Sequence, residues 1–255
     1  MIDSHAHIFL CERSEEEIVS SAREAGIDRM LNVGLGGISN QQAIGAAERH
    51  EEVYASVGWH PTEAHLLDEV SLKELADHAG HPEVRAIGET GLDYYRDKVE
   101  PPVQREAFEA QVELAGSLGK PIVIHARDLD GETNAIDEVF EVLDAQADGI
   151  PVVLHCFSAP QRAADAAERG WHCSFAGHTT YPKSEDLRRA AAELPEELLL
   201  VETDSPYLAP QPLRGKTNEP VNVVETARVV AEARGVAYEE LERAVDRNAR
   251  ALFGW

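Results

Sequence analysis

An eight-stranded parallel (β/α)8 TIM barrel is the fold this sequence predicts. Three observations carry it: eight short apolar runs, helix-patterned segments between them, and ionisable residues placed repeatedly where those runs end. The length of 255 residues suits one such barrel, with no linker or composition shift to divide it, so residues 1–255 are expected to form a single domain.

The first run, 1–5, is followed by a helical segment near 14–25, where Ser14 and Glu17 form a capping-box pattern. RMLNVG at 29–34 precedes a helix near 40–50, and VYASVG at 53–58 precedes one at 71–79, where Ser71 and Glu74 repeat the capping pattern. VRAIG at 84–88 leads to 103–118, PIVIH at 121–125 to 134–146, and PVVLH at 151–155 to 160–169. WHCSFA at 171–176 leads to 184–193, and LLLVET at 198–203 leads to two helices near 220–234 and 238–252. Most runs are near-continuous Val, Ile and Leu, as expected of parallel strands covered on both faces. Eight such units in this length favour closure over an open sheet.

Composition narrows the remaining classes. No apolar run approaches the roughly 18 residues of a membrane span. The start, MIDSHAHIFLCERSEEE, has no basic region or small-residue cleavage site, so a cytoplasmic protein without a membrane partner is expected. Cys11, Cys156 and Cys173 form no close pair and no Cys-x-x-Cys, which argues against a disulfide framework and a thiolate zinc site. Acidic residues number 47 against 23 basic ones, a net charge of −24, and only five of the basic residues are lysines. Such an excess is self-repulsive unless salt screens it, and it predicts a salt-rich cytoplasm of the halophile kind.

The chemistry lies at the strand ends. His5 and His7 close the first run, Glu89 follows the fourth, His125 ends the fifth, His155 ends the sixth and Asp204 follows the eighth. In a barrel these ends gather on the C-terminal rim, where the active sites of this fold lie. Alternation along an extended chain turns His5 and His7 to the same side. Glu89 and Asp204 end apolar strands, where an unpaired carboxylate is costly unless it meets a cation or hydrogen-bond donors. Six nitrogen and oxygen ligands exceed the three that one catalytic zinc needs, so two divalent ions are expected, of the Zn, Mg, Mn or Ni type. His5, His7 and Asp204 would hold one ion, His125 and His155 the other, with Glu89 as bridge.

Nearly the whole chain carries segments in a recognisable order: DSHAH (3–7), GWHP (58–61), GETGLDYY (88–95) and QREAFEAQVELAGSLGKPIVIHARD (104–128). LHCFS (154–158), SFAG (174–177), ETDSPYLAP (202–210), RGKTNEP (214–220) and RNARALF (247–253) follow. On these motifs the chain resembles the TatD-like deoxyribonucleases, within the wider amidohydrolase-type metal hydrolases. The family's ligand set falls on the same six residues. The sequence departs from the family pattern just after DSHAH, in the first βα loop. The resemblance implies hydrolysis of DNA phosphodiesters, on single strands or 3′ ends, by a water that two metals activate, with Asp204 accepting its proton and Glu89 serving both ions. The rival reading is an ester or amide hydrolase such as a D-aminoacyl-tRNA deacylase, with aminoacyl-tRNA as substrate. No obligate protein partner is implied.

His60, on the same rim and within the family motif, is a further candidate for substrate contact. Arg127, Arg214 and Lys216 put positive charge near the rim and are read as phosphate binders, Arg as a fork and Lys as a point charge. Asp93 is expected to fix the loop after Glu89. His178 and Lys183 are weaker candidates. Gly34-Leu35-Gly36-Gly37 reads as a tight turn, since it lacks the dinucleotide-binding fingerprint.

Overall fold

A computed structural model describes residues 1–96 and 98–255. Eight parallel strands pair in sequence order: β1 (Ile2–Ala6), β2 (Arg29–Val33), β3 (Val53–Val57), β4 (Val84–Asp93), β5 (Ile122–Arg127), β6 (Val152–Leu154), β7 (His172–Phe175) and β8 (Leu199–Val201). Around them run α1 (Glu15–Glu24), α2 (Gly37–Arg49), α3 (Glu69–Ala79), α4 (Pro101–Leu118) and α5 (Asn134–Gln146). The ring continues with α6 (Ala163–Glu168), α7 (Glu185–Glu193), α8 (Val223–Arg234) and α9 (Tyr238–Phe253). Parallel order from β1 to β8 with intervening helices is the expected (β/α)8 barrel. Core residues such as Ile2, Met30, Ile87, Val123, Phe175 and Leu200 are fully buried in it.

The barrel nearly closes between β8 and β1. The seam is an isolated bridge, Ala6 to Ser205, supported by His7 N–H donating to the Ser205 carbonyl at 2.8 Å and Asp204 N–H to the His5 carbonyl at 2.9 Å. These bonds bring Asp204 beside the two histidines of the first strand. No helix among the described residues is long and apolar enough to cross a membrane. All three cysteines are free.

Several element bounds differ from expectation. The strand expected at 84–88 runs on to Asp93, so Glu89 lies inside β4 rather than after it. Beyond a register shift, Thr90 to Asp93 pair with Ile124 to Arg127 of β5. Glycine permits this close approach: a Cβ on Gly91, at φ +136°, would fall 2.0 Å from the His125 carbonyl oxygen. Helix α1 starts with the expected capping box of Ser14 and Glu17. Helix α3 begins two residues earlier than expected, because Asp68 is its cap and accepts from the Ser71 N–H at 2.8 Å; Ser71 is not itself the cap. The helices expected to start at 160 and 220 each open with a 3-10 turn led by proline, leaving shorter α6 and α8.

Candidate metal centre

Glu89 sits at the middle of the rim with its side chain 3% exposed. Its Oε2 lies 3.5 Å from His5 Nε2 and 3.5 Å from His7 Nε2. Its Oε1 lies 2.6 Å from His125 Nδ1 and 2.9 Å from His155 Nε2. One carboxylate therefore turns one oxygen to each pair of histidines. Asp204, in a left-handed conformation with φ +54°, brings Oδ1 to 3.6 Å from His7 Nε2 and 3.9 Å from His5 Nε2. The six residues expected at the strand ends thus meet at one point.

The outward ring nitrogens are held from behind. His7 Nδ1 donates to the Val33 carbonyl at 2.7 Å, which fixes its tautomer and leaves Nε2 free to coordinate. His155 Nδ1 lies 3.1 Å from Glu202 Oε1, and His125 Nε2 lies 3.2 Å from Asp93 Oδ2. Asp93 also does what was expected of it: Oδ1 accepts from the N–H groups of Tyr95 and Arg96 and holds that loop. His5 Nδ1 and the second oxygen of Glu202 are among the buried polar atoms of the described residues that have no hydrogen-bond partner.

Donor atoms of His5, His7 and Glu89 lie within 4.8 Å of one another, and so do those of Glu89, His125 and His155. Two further groups, His5 with His155 and Glu202, and His60 with Asp93 and His125, overlap these. The electrostatics agree with a site short of positive charge. Burial opposes the charge on Glu89, yet His155, His60 and His125 hold its carboxyl well below the usual range. Burial likewise opposes protonation of His155, but Glu89 and Glu202 pull it well above the imidazole range. Where buried carboxylates drive buried imidazoles to gather protons, a divalent cation satisfies the same demand, and this imidazole and carboxylate set suits such an ion.

His60 has a different part. Its Nδ1 accepts from Thr62 N–H at 3.1 Å, so Nε2 carries the proton and points towards Glu89 Oε1 at 3.6 Å, beyond hydrogen-bond range. Burial pushes its pKa down to about 3, which leaves the ring neutral. Its Nε2–H is therefore a hydrogen-bond donor facing the site.

Above the histidines opens a cavity of about 1040 Å³ that includes His60, Arg127 and His178 in its lining. The guanidinium of Arg127 lies 4.0 Å from the Tyr95 ring centroid, and that of Arg96 lies 3.8 Å from Asp93 Oδ2. Arg214 and Lys216 are exposed and stand outside the lining; Arg214 stacks on Tyr181 at 4.4 Å. Lys183 also lies outside it. Sequence reasoning missed Arg96 and Lys98, which do line the cavity, and Glu202. The signal for Glu202 was present: like Glu89, it directly follows a short apolar run.

A family model described as TatD related DNase matches residues 2–254. A metal-dependent hydrolase of uncharacterised activity, TatD of Mycobacterium tuberculosis, is 38% identical over 264 residues, covering 100% of this chain and 98% of its own. A TatD described as a 3′-5′ ssDNA/RNA exonuclease, from Cronobacter sakazakii, is 33% identical over 249 residues, 95% of this chain and 92% of its own. Among solved structures, the TatD homologue YjjV of Escherichia coli superposes with a TM-score of 0.91 at 27% identity, over 100% of this chain and 98% of that one. Fold, rim and sequence agree: the chain belongs to the TatD-related DNase family of metal-dependent hydrolases.

Proposed function

We propose that the protein is a phosphodiesterase that shortens single-stranded nucleic acid from its 3′ end, with two divalent ions at the rim. The observation that carries this reading is Glu89, whose two oxygens each face a separate pair of histidines. His5, His7 and Asp204 would hold one ion, His125 and His155 the other, and Glu89 both. Ions held in these places would supply Lewis acidity to a phosphoryl oxygen and would make a neighbouring water more acidic.

The chain's own groups do the rest. Burial opposes the charge of Asp204, but His7, His155 and His5 hold its carboxyl below the usual range, so it is ionised and able to take the proton of the attacking water. His60 offers an uncharged N–H at the cavity floor. Arg127, with Arg96 and Lys98 beside it, places positive charge where the strand's phosphates pass. This local charge answers the repulsion that a body of −24 exerts on a nucleic acid. The name of the Cronobacter relative supports the same substrate class and direction.

The test is gel analysis of end-labelled single- and double-stranded oligonucleotides with metal-stripped protein, adding back Zn, Mg, Mn or Ni singly. An aminoacyl-tRNA arm covers the ester alternative, which the same ligand set would serve. Stepwise shortening of single strands from the 3′ end, only with ion present, is expected. An intact oligonucleotide with every ion, beside a hydrolysed aminoacyl ester, would replace this reading with the other.

A further inference from the structure

Because the strands follow one another around the barrel, the loops that follow them occupy successive sectors of the rim. The sectors after β8, β1, β2 and β3 line the cavity with Tyr207, Phe9, Leu10, Ile38, Trp59 and Leu66. The next two, after β4 and at the end of β5, contribute Arg96, Lys98 and Arg127. The mouth therefore has a mainly apolar arc, interrupted by Gln42 and Glu63, and a cationic arc, with the histidines and Glu89 at its floor.

The apolar arc is costly for a protein so heavily charged. Leu10, Ile38, Leu66 and Tyr207 are 40%, 74%, 48% and 46% exposed, and they are four of the nine large hydrophobic side chains exposed among the described residues. Apolar surface gathered in one place marks a binding site. Trp59, the largest side chain of the arc, is anchored. Trp59 is held through its backbone by buried Gln111, which accepts from the Trp59 N–H at 2.7 Å and donates to its carbonyl at 3.1 Å. Gly36, at φ +133°, lies against the indole so closely that a Cβ there would come within 2.8 Å of it.

We infer that the apolar arc is a nucleobase subsite, which stacks the unpaired base next to the scissile phosphate while the cationic arc holds the neighbouring backbone. This rests on the phosphodiesterase reading and deepens it. A wholly apolar ligand would leave the positive charge of Lys98 and Arg127 unused, with Arg96 still paired to Asp93 at 3.8 Å, and a small phosphate ester would leave the arc in water. A nucleotide has both faces on one molecule. Such a subsite would favour single strands, since a base in a duplex is already paired and stacked.

The test compares two short single-stranded oligonucleotides that differ only at the 3′-terminal residue, one with its base and one abasic, with the ion that best supports cleavage. For the wild type, loss of the base should lower kcat/KM by about 10-fold to 100-fold, the range that stacking on a protein surface commands. In the double variant Ile38→Ala/Leu66→Ala, the ratio between the two substrates should fall towards one. Ile38 and Leu66 are exposed, so these truncations leave the core intact. A wild-type ratio of one, or a full ratio retained in the variant, would overturn the inference. If neither oligonucleotide is cut with any ion, the phosphodiester reading itself fails and the subsite falls with it.

Discussion

Carboxylates hold His155 from both ends, Glu89 at Nε2 and Glu202 at Nδ1, and His125 is held in the same way by Glu89 and Asp93. Such backing fixes ring orientation and raises the basicity of a ligand. Glu202 Oε1 also accepts from the Cys156 N–H at 2.7 Å, so one oxygen ties the sixth strand's end to the eighth. Glu202→Ala should weaken divalent-ion binding by about 10-fold to 100-fold, and Glu202→Gln by less, because an amide oxygen keeps both hydrogen bonds and loses only the charge. Competition against a chromogenic chelator would measure this, and an unchanged affinity in the alanine variant would deny Glu202 the role. The six strand-end residues were legible because each breaks an apolar run with an ionisable group. Their backing was less so: Asp93 reads as a loop residue in sequence, and nothing in spacing shows that its second oxygen reaches a histidine 32 positions away.

The seam between β1 and β8 depends on Asp3, fully buried, whose Oδ1 accepts from Thr203 N–H at 2.9 Å and whose Oδ2 accepts from the Thr203 hydroxyl at 2.6 Å. Burial raises its pKa to about 8, prevailing over these hydrogen bonds. The folded state then keeps a proton that the unfolded chain releases at about pH 4. Its contribution to stability is full below that range and declines as pH rises towards 8. Asp3→Asn can keep the same contacts, its amide donating to the Thr203 hydroxyl, and has no proton to lose. In metal-free protein the variant should gain on the wild type steadily from about pH 4 to about pH 8, by denaturant melts. Parallel curves would show that Asp3 does not titrate there. Elements were legible wherever pattern decides them, as in the eight strands and the Ser14 cap. They were misread where a tertiary contact decides: β4 outruns its apolar stretch because β5 pairs with it as far as Asp93, and Asp68 takes the capping place that Ser71 also fitted.

Across the whole molecule, acids outnumber the arginines that meet them. Arg49 with Glu15, Arg169 with Asp144 and Arg105 with Glu109, Glu138 and Glu141 form surface pairs, each worth little and weakened by salt. The unmatched charge of −24 is repulsive, and the Debye length shrinks from about 30 Å at 0.01 M to about 3 Å at 1 M. With divalent ion held saturating, so that its own stabilisation stays constant, the melting temperature should rise as KCl goes from millimolar to molar. A flat or falling profile would remove the salt-rich cytoplasm as the reason for the acidity. The central claim is the shared site around Glu89, and titration of metal-stripped protein with Mn addresses it most directly, following bound ion and single-strand cleavage together. Two equivalents should bind, cleavage should rise fully only with the second, and Glu89→Ala should lose most of the bound metal and all hydrolysis. Full cleavage at one equivalent, or two full sites in Glu89→Ala, would contradict a bridge between two ions.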